Sequence, residues 1–428
     1  MIRQESERGV RADAAVQPAG DAAQAEEIAA RNIRNLVLQT ALAGVVNGGI
    51  GTFLAVYLTR LGASPLALSL LTALPALLTI AVALPAGAIA ARYTQPVRQS
   101  TRHFLLIRLC YLLVAAAAFL PAEAAIWTVV VIWTLTAIPG AIANTAWMDV
   151  FAEAIPARER ARINGLRWGL LGFITACSVA LFGQMLDRLP FPLSYQLVFL
   201  ISFVAGLLNV WFYSRLIVPA QPIRSQGGAT VPWRGRILEA LCPLREGGPF
   251  LRFTIGSSLL RAGMFLAAGL YSIYWVRDLQ ATDSLIGLRT TAGNAALVVS
   301  YPLWGWAATR LGHERALVLA TVGLGLYPVM TGLTTAAPWL VPAAILWGLF
   351  AGGIDVTLFE GLLHTAPPAR RAQYVALNTA VANLIAFVAP IAGAALAGLL
   401  GIPVVLFLAG VLHFLAAAAM ACYVRRTV

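Results

Sequence analysis

MDVFAEAIPARERARINGLR, residues 148–167, and FEGLLHTAPPARRAQYVALN, residues 359–378, begin 211 residues apart and share one design. Each interrupts a long apolar run with a carboxylate, then a proline, then a cluster of arginines. Superimposed at that offset, Asn144 falls on Asp355, Asp149 on Glu360, Pro156 on Pro367 and Arg160 on Arg371. Proline stops a helix that has left the hydrocarbon, and arginine anchors the next one at the level of lipid phosphates. The matches lie at loop punctuation, where chance similarity between apolar runs cannot supply them, so the chain reads as a duplicated unit.

Composition fixes what the unit is made of. The chain has 428 residues, 60% of them hydrophobic and 11% charged, a balance that marks a membrane protein. Counting apolar stretches of about 20 residues gives spans near 35–59, 66–91, 103–121, 124–148, 164–186 and 194–214. A polar, Arg- and Pro-rich stretch follows, and then spans near 251–275, 284–308, 314–335, 338–363, 374–400 and 402–424. The expected fold is all-α and integral to the membrane: twelve transmembrane helices in two pseudo-symmetric six-helix bundles. The expected divisions are a cytoplasmic tail 1–34, a bundle 35–215, a linker 216–250, a second bundle 251–424 and a tail 425–428. Within the linker, WRGRILEALCPLR (233–245) sets Trp233, Ile237, Leu238 and Leu241 on one stripe, as expected of an amphipathic helix on the cytoplasmic leaflet.

Charge sets the orientation. The net charge is +12, and all basic residues are arginines. With the N-terminus cytoplasmic, the inner side collects the tail, Arg92 to Arg108, Arg158 to Arg167, Arg215 to Arg252, Arg310, Arg315, Arg370, Arg371, Arg425 and Arg426. Arg60, Arg188, Arg277 and Arg289 remain outside. Both termini are therefore expected in the cytoplasm and the protein in the inner (cytoplasmic) membrane. No apolar core follows the early arginines, so no cleavable signal is expected. The basic excess is accounted for by inner loops, and no nucleic-acid partner is expected.

A second internal match supports the duplication. LGASPLALSLLTALPALLTIAVALPAGAIAARY (61–93) aligns without a gap on LQATDSLIGLRTTAGNAALVVSYPLWGWAATRL (279–311), pairing Gly87 with Gly305 and Arg92 with Arg310. With GAIAARYTQPVR after span two and GWAATRLGHER after span eight, the chain resembles the major facilitator superfamily (MFS) of secondary transporters. The resemblance covers essentially all the spans. It implies a monomeric carrier that moves a small solute by rocking two halves about a midplane site. Both loop copies lack the family's Asp, with Ala91 and Thr309 in its place, and the span-four Arg of proton-coupled exporters is missing from WTLTAIPGAIANTAW (133–147).

Ionisable groups inside spans are costly and mark function. Arg261 in span seven and Asp355 in span ten lie at similar depth and are expected to pair across the cavity as substrate or proton contacts. Asn47, Asn144, Asn294 and Asn383 form the next tier of substrate-binding or coupling candidates. At the cytoplasmic mouth, Asp149 and Glu360 are expected to latch onto Arg92, Arg162 and Arg310 when that mouth is shut. Gly44 with Gly48, and Gly348 with Gly352, have the spacing of closely packed helices. Tyr271, Tyr274 and Trp275, near the outer end of span seven, fit an interfacial aromatic belt better than a ring-stacking site.

Several chemistries are excluded. Without lysine there is no Walker loop and no Schiff base, and no nucleophile elbow or HExxH motif is present. Cys110, Cys177, Cys242 and Cys422 are too dispersed for a disulfide framework and are expected to be small core residues. His103, His313, His364 and His413 lack metal-ligand spacing. The chain is therefore expected not to be an enzyme and to need no metal or cofactor. Its expected partners are a small-molecule substrate, the bilayer and, if coupled, protons. Export is favoured over import; the alternative is a non-transporting MFS relative that binds pigment, lipid or a partner complex.

Overall fold

The computed structural model describes residues 19–90, 92–220, 242–245, 247–367 and 370–424. Every span is helical because a backbone in hydrocarbon must satisfy its own hydrogen bonds. Span one is α1 (Ala19–Val46), a π-turn (Asn47–Gly51) and α2 (Thr52–Arg60). Span two is α3 (Pro65–Ala90), and span three is α4 (Pro96–Ala116) with a short 3₁₀ turn. Span four is α5 (Ala122–Leu135) with α6 (Ala137–Ala154), span five α7 (Arg160–Arg188) and span six α8 (Leu193–Ser214). The second half repeats the order. Span seven is α9 (Gly248–Leu266), α10 (Leu270–Ile273) and a π-turn (Tyr274–Asp278). Spans eight to twelve are α11 (Asp283–Leu311), α12 (His313–Leu333), α13 (Leu340–Thr365), α14 (Arg371–Leu400) and α15 (Ile402–Val424).

Eleven of these segments are long and apolar enough to cross a bilayer. The twelfth, α11, has the length, 29 residues, but Asp283, Arg289, Asn294 and Arg310 dilute its apolar run. Tight turns at Gly312 (φ +83°) and Gly401 (φ +84°) close α11 and α14, in a left-handed conformation that glycine adopts without steric cost.

Packing differs at the two ends of the molecule. At the end opposite the described termini, one apolar core joins the halves: Phe53, Tyr57, Val179 and Tyr195 from the first meet Leu266, Leu270, Ile286 and Leu406 from the second. At the end that carries the arginine loops, the core is split. Leu36, Val150, Ile163 and Tyr213 cluster within the first half, and Phe250, Leu260, Leu324 and Met420 within the second. Spans five and eight show where the halves part. Near the closed end, Gly183 lies against Asp283 and Gly287 against Val179, and Thr291 Oγ1 donates to Ala176 O at 3.2 Å. Midway, Gly172 still approaches Val298. Beyond it, Gly165, Gly169 and Gly305 have no neighbouring atom within 4 Å of a built Cβ. A cleft therefore opens between the halves toward the basic end.

Several expectations are met or corrected. Gly44 and Gly48 admit span five: a Cβ there would lie 2.7 Å from Ile174 Cβ and 2.6 Å from Ser178 Cβ. Gly348 and Gly352 are packed equally tightly on span eight, against Gly293 O and Ser300 Oγ. Span three starts at Pro96 rather than 103, because proline suits a first helical turn. Arg108 is consequently not loop charge. It lies within the helix, donates to Asn209 Oδ1 at 3.3 Å and covers the Tyr111 ring at 5.1 Å. Cys177 and Cys422 are exposed on the helix surfaces, not core residues. The aromatic-belt expectation fails as well. Tyr274 is buried in the closed-end core and donates to Thr334 O at 2.8 Å, while Tyr271 and Trp275 pack against that core and Arg289 lies 3.9 Å over the Trp275 ring. The linker stripe Trp233–Leu241 lies outside the described residues.

Candidate functional site

At the closed end, the halves are clasped by side chains from the last residues of spans one and seven. Arg60 ends α2 and crosses to the second half, where Asp283 Oδ1 accepts from its Nη2 at 3.0 Å and its Nε at 3.1 Å. The same oxygen accepts from Tyr195 Oη at 2.7 Å, and Arg60 Nη2 also donates to Ala281 O at 3.2 Å. The Asp283 side chain is 6% exposed and that of Arg60 29%, so water screens the pair little. Arg277 makes the reciprocal crossing, donating to Ala63 O at 2.7 Å and Thr59 O at 3.1 Å. Asp187 adds a third link: its carboxylate accepts the backbone N–H groups of Asp283 (2.9 Å) and Ser284 (3.1 Å), capping α11 from the other half. A recess of about 290 Å³ lies beside this clasp, lined by Arg60, Asp187, Tyr195 and Asp283 among others.

Arg60–Asp283 is the one ion pair between halves among the described residues. Sequence reasoning places such pairs at the basic end and misses it. A usable signal is present, since Arg60 and Arg277 lie 217 residues apart, within one position of the repeat offset.

In the cleft, the expected Arg261–Asp355 pair is absent. Asp355, exposed on α13, accepts from Tyr301 Oη of span eight at 3.0 Å. Arg261 turns to span eleven and donates to Asn378 Oδ1 at 3.3 Å. The reason is packing: span seven lies against span eleven, and span ten against span eight, so each group finds its partner next door. Asn144 and Asn47 are exposed and Asn294 is half-buried. Asn294 falls on the same face of α11 as Thr291, Val298 and Tyr301, by helical spacing. Asn383 Nδ2 donates to Thr379 O of its own helix at 2.9 Å. Asn47 opens the π-turn of span one, and its carbonyl accepts from Thr52 Oγ1 at 2.9 Å. Such turns recur at functional sites because they bend a helix locally.

The basic mouth is not latched through its expected arginines in this structure. Arg92, Arg162 and Arg310 are exposed, and Arg310 lies 5.5 Å over the Trp306 ring of its own helix. Glu360 pairs with His364 at 3.5 Å, within one helix. Between spans two and three, burial raises the Tyr93 hydroxyl pKa, and this hydroxyl shares a hydrogen bond with His103 Nε2 at 2.5 Å. No three His, Cys, Asp or Glu side chains gather into a metal-binding group among the described residues.

Two six-span halves, clasped at one end and parted at the other, set the frame for comparison with known proteins. The family model described as Major Facilitator Superfamily matches residues 36–252 and again residues 253–428, one match to each half. The chain belongs to the Major Facilitator Superfamily. It is a multi-pass membrane protein of a transporter family. Multidrug export protein EmrB of Escherichia coli (strain K12) is 29% identical over 140 residues, which cover 29% of this chain and 27% of EmrB. The match thus spans about a quarter of that relative's length. A point mutant of the nucleoside transporter NupG superimposes with a TM-score of 0.70 at 13% identity, over 92% of this chain and 99% of that one. A bacterial homologue of the human lysosomal transporter Spinster, solved inward-facing and unoccupied, gives 0.62 at 14% identity over 92% and 98%. At such identities these structures share the fold alone.

Proposed function

We propose that this MFS transporter is a secondary carrier working by alternating access, exporting a small solute from the cytoplasm. The observation that carries the reading is the pairing of one shared core and clasp at one end with a divided core and open cleft at the other. On the positive-inside rule the basic end faces the cytoplasm, with both termini, in the inner membrane. The structure is then the state in which solute enters from inside. Release outside requires the Arg60, Arg277 and Asp187 contacts to break while the basic ends approach. Asp149 and Glu360 would then meet Arg92, Arg162 and Arg310 and replace part of the lost binding. Export is supported by the similarity to EmrB, a multidrug export protein.

Proton coupling is placed at Asp355. It is the carboxylate that Tyr301 of span eight engages from the neighbouring helix. Asn47, Asn144, Arg261, Asn294 and Asn383 supply polar contacts for solute on the cleft walls. Counterflow and efflux from liposomes, with and without a pH gradient, test the reading. We expect gradient-driven flux that Asp355→Asn uncouples from pH while leaving counterflow intact. Purified protein that moves no solute across a broad panel would refute the carrier. Normal pH dependence in Asp355→Asn would refute the coupling site.

A further inference from the structure

Arg167 follows a run of loop arginines, yet it lies seven residues into α7, about 10 Å along the helix from Arg160. It is half-buried. Its Nε donates to Thr40 Oγ1 of span one at 2.9 Å, and its guanidinium faces the Trp147 and Phe151 rings at 4.9 and 5.1 Å. At the repeat offset of 211, Arg167 falls on Asn378, which is likewise seven residues past Arg371 at the start of α14. Asn378 is the residue that takes the Arg261 guanidinium. Each half therefore carries one guanidinium at one level, at its junction of spans one and five or of spans seven and eleven. The first half supplies it from span five and the second from span seven.

Both groups are held only by neutral partners, and neither forms an ion pair among the described residues. Asp355, the carboxylate inside span ten, is engaged by Tyr301. A structural arginine in a span is normally balanced by an acid or withdrawn to the interface. Arg167 and Arg261 sit one in each half, and an anion from elsewhere would balance both. Their mutual repulsion also grows as the basic mouth narrows, because Coulomb energy rises with approach and with the loss of water. An anion held between them reverses that sign, so solute binding would itself permit closure.

On the carrier reading above, we infer that the cleft selects an organic anion, its carboxylate or phosphate gripped by Arg167 and Arg261 and its apolar body against Trp147 and Phe151. Guanidinium groups suit such oxyanions by their forked donors. The test is equilibrium binding to the purified full chain, followed by tryptophan fluorescence. The probes are benzoate, 1-naphthoate and phenyl phosphate, each beside a neutral counterpart (benzamide, 1-naphthamide, phenol) and a cation (benzylamine). We expect at least one anion to bind tenfold or more tighter than its neutral counterpart. Arg167→Gln and Arg261→Gln should each erase most of that preference, and Arg167→Lys and Arg261→Lys should restore part of it. Anions bound no better than their neutral or cationic counterparts would overturn the inference, as would Gln variants that keep the full preference. If a Gln variant fails to fold, the wild-type ratio and the Lys variants decide. Anion binding without liposome flux would uphold this site and overturn the carrier reading. Flux of a neutral or cationic solute without anion preference would do the reverse.

Discussion

Removing the charge of Asp283 should unlock the closed end. Asp283 Oδ1 takes three donors, two from Arg60 and one from Tyr195, in a side chain only 6% exposed. Asp283→Asn keeps the shape and one acceptor oxygen, while Arg60 keeps its bond to Ala281 O. What is lost is the charge-assisted share, about 1.5–3 kcal/mol for hydrogen bonds to a charged group. At about 1.4 kcal/mol per decade, the ratio of clasped to unclasped protein falls roughly ten- to hundred-fold. A cysteine at Asn47, in an otherwise cysteine-free chain, reports this, since Asn47 is exposed on the π-turn of span one and is proposed above as a solute contact. A membrane-impermeant maleimide added at the closed end should label it about tenfold faster or more in Asp283→Asn than in the parent. Labelling from the basic end should slow. An unchanged rate from the closed end, in a variant that remains monodisperse, would refute the clasp as the element that seals this end.

Other perturbations follow from the same geometry. Arg277→Ala removes two bonds to Thr59 O and Ala63 O and should raise closed-end labelling in the same direction. Sharing no acceptor with Arg60, it should add to Asp283→Asn within about 0.5 kcal/mol in a double-mutant cycle. Gly48→Leu drives a side chain into Ser178 and should cost about 1–3 kcal/mol by overpacking, read as a lower melting temperature, with Gly48→Ala costing less. Asp149→Asn combined with Glu360→Gln should weaken the closed state of the basic mouth, so that a cysteine at Gly165 is labelled faster from that side during turnover. Equal rates would remove both carboxylates from the gate.

Much of the fold was legible because lipid simplifies the code: a bilayer leaves long apolar runs, proline stops and arginine placement little other meaning. The duplication was visible where Asp149 and Glu360, Pro156 and Pro367, and Arg160 and Arg371 share loop positions. Side-chain partners were far less legible. Arg261 and Asp355 agree in depth, but depth does not say which neighbouring helix each faces, and Asn378 and Tyr301 lie nearer. Arg167 and Arg108 look like loop charge because they follow arginine clusters by less than two helical turns. The clasp was hidden because Arg60, Asp187 and Asp283 lie far apart in sequence and meet only when the halves pack. Tyr271 and Trp275 mimic an interfacial belt for the same reason, since apolar residues that face lipid and those that face protein have one composition.

The central claim is that the two ends of the halves open in alternation. Spin-label distances measure it directly, with one pair at Gly62 and Thr282 across the clasp and another at Gly165 and Gly305 across the basic mouth. In liposomes the account predicts a short, narrow distance at the clasp with a long one at the mouth. In Asp283→Asn a second population should appear in which the clasp distance lengthens and the mouth distance shortens, in matching proportion. Distances that stay fixed in every condition, or that lengthen together at both ends, would contradict it.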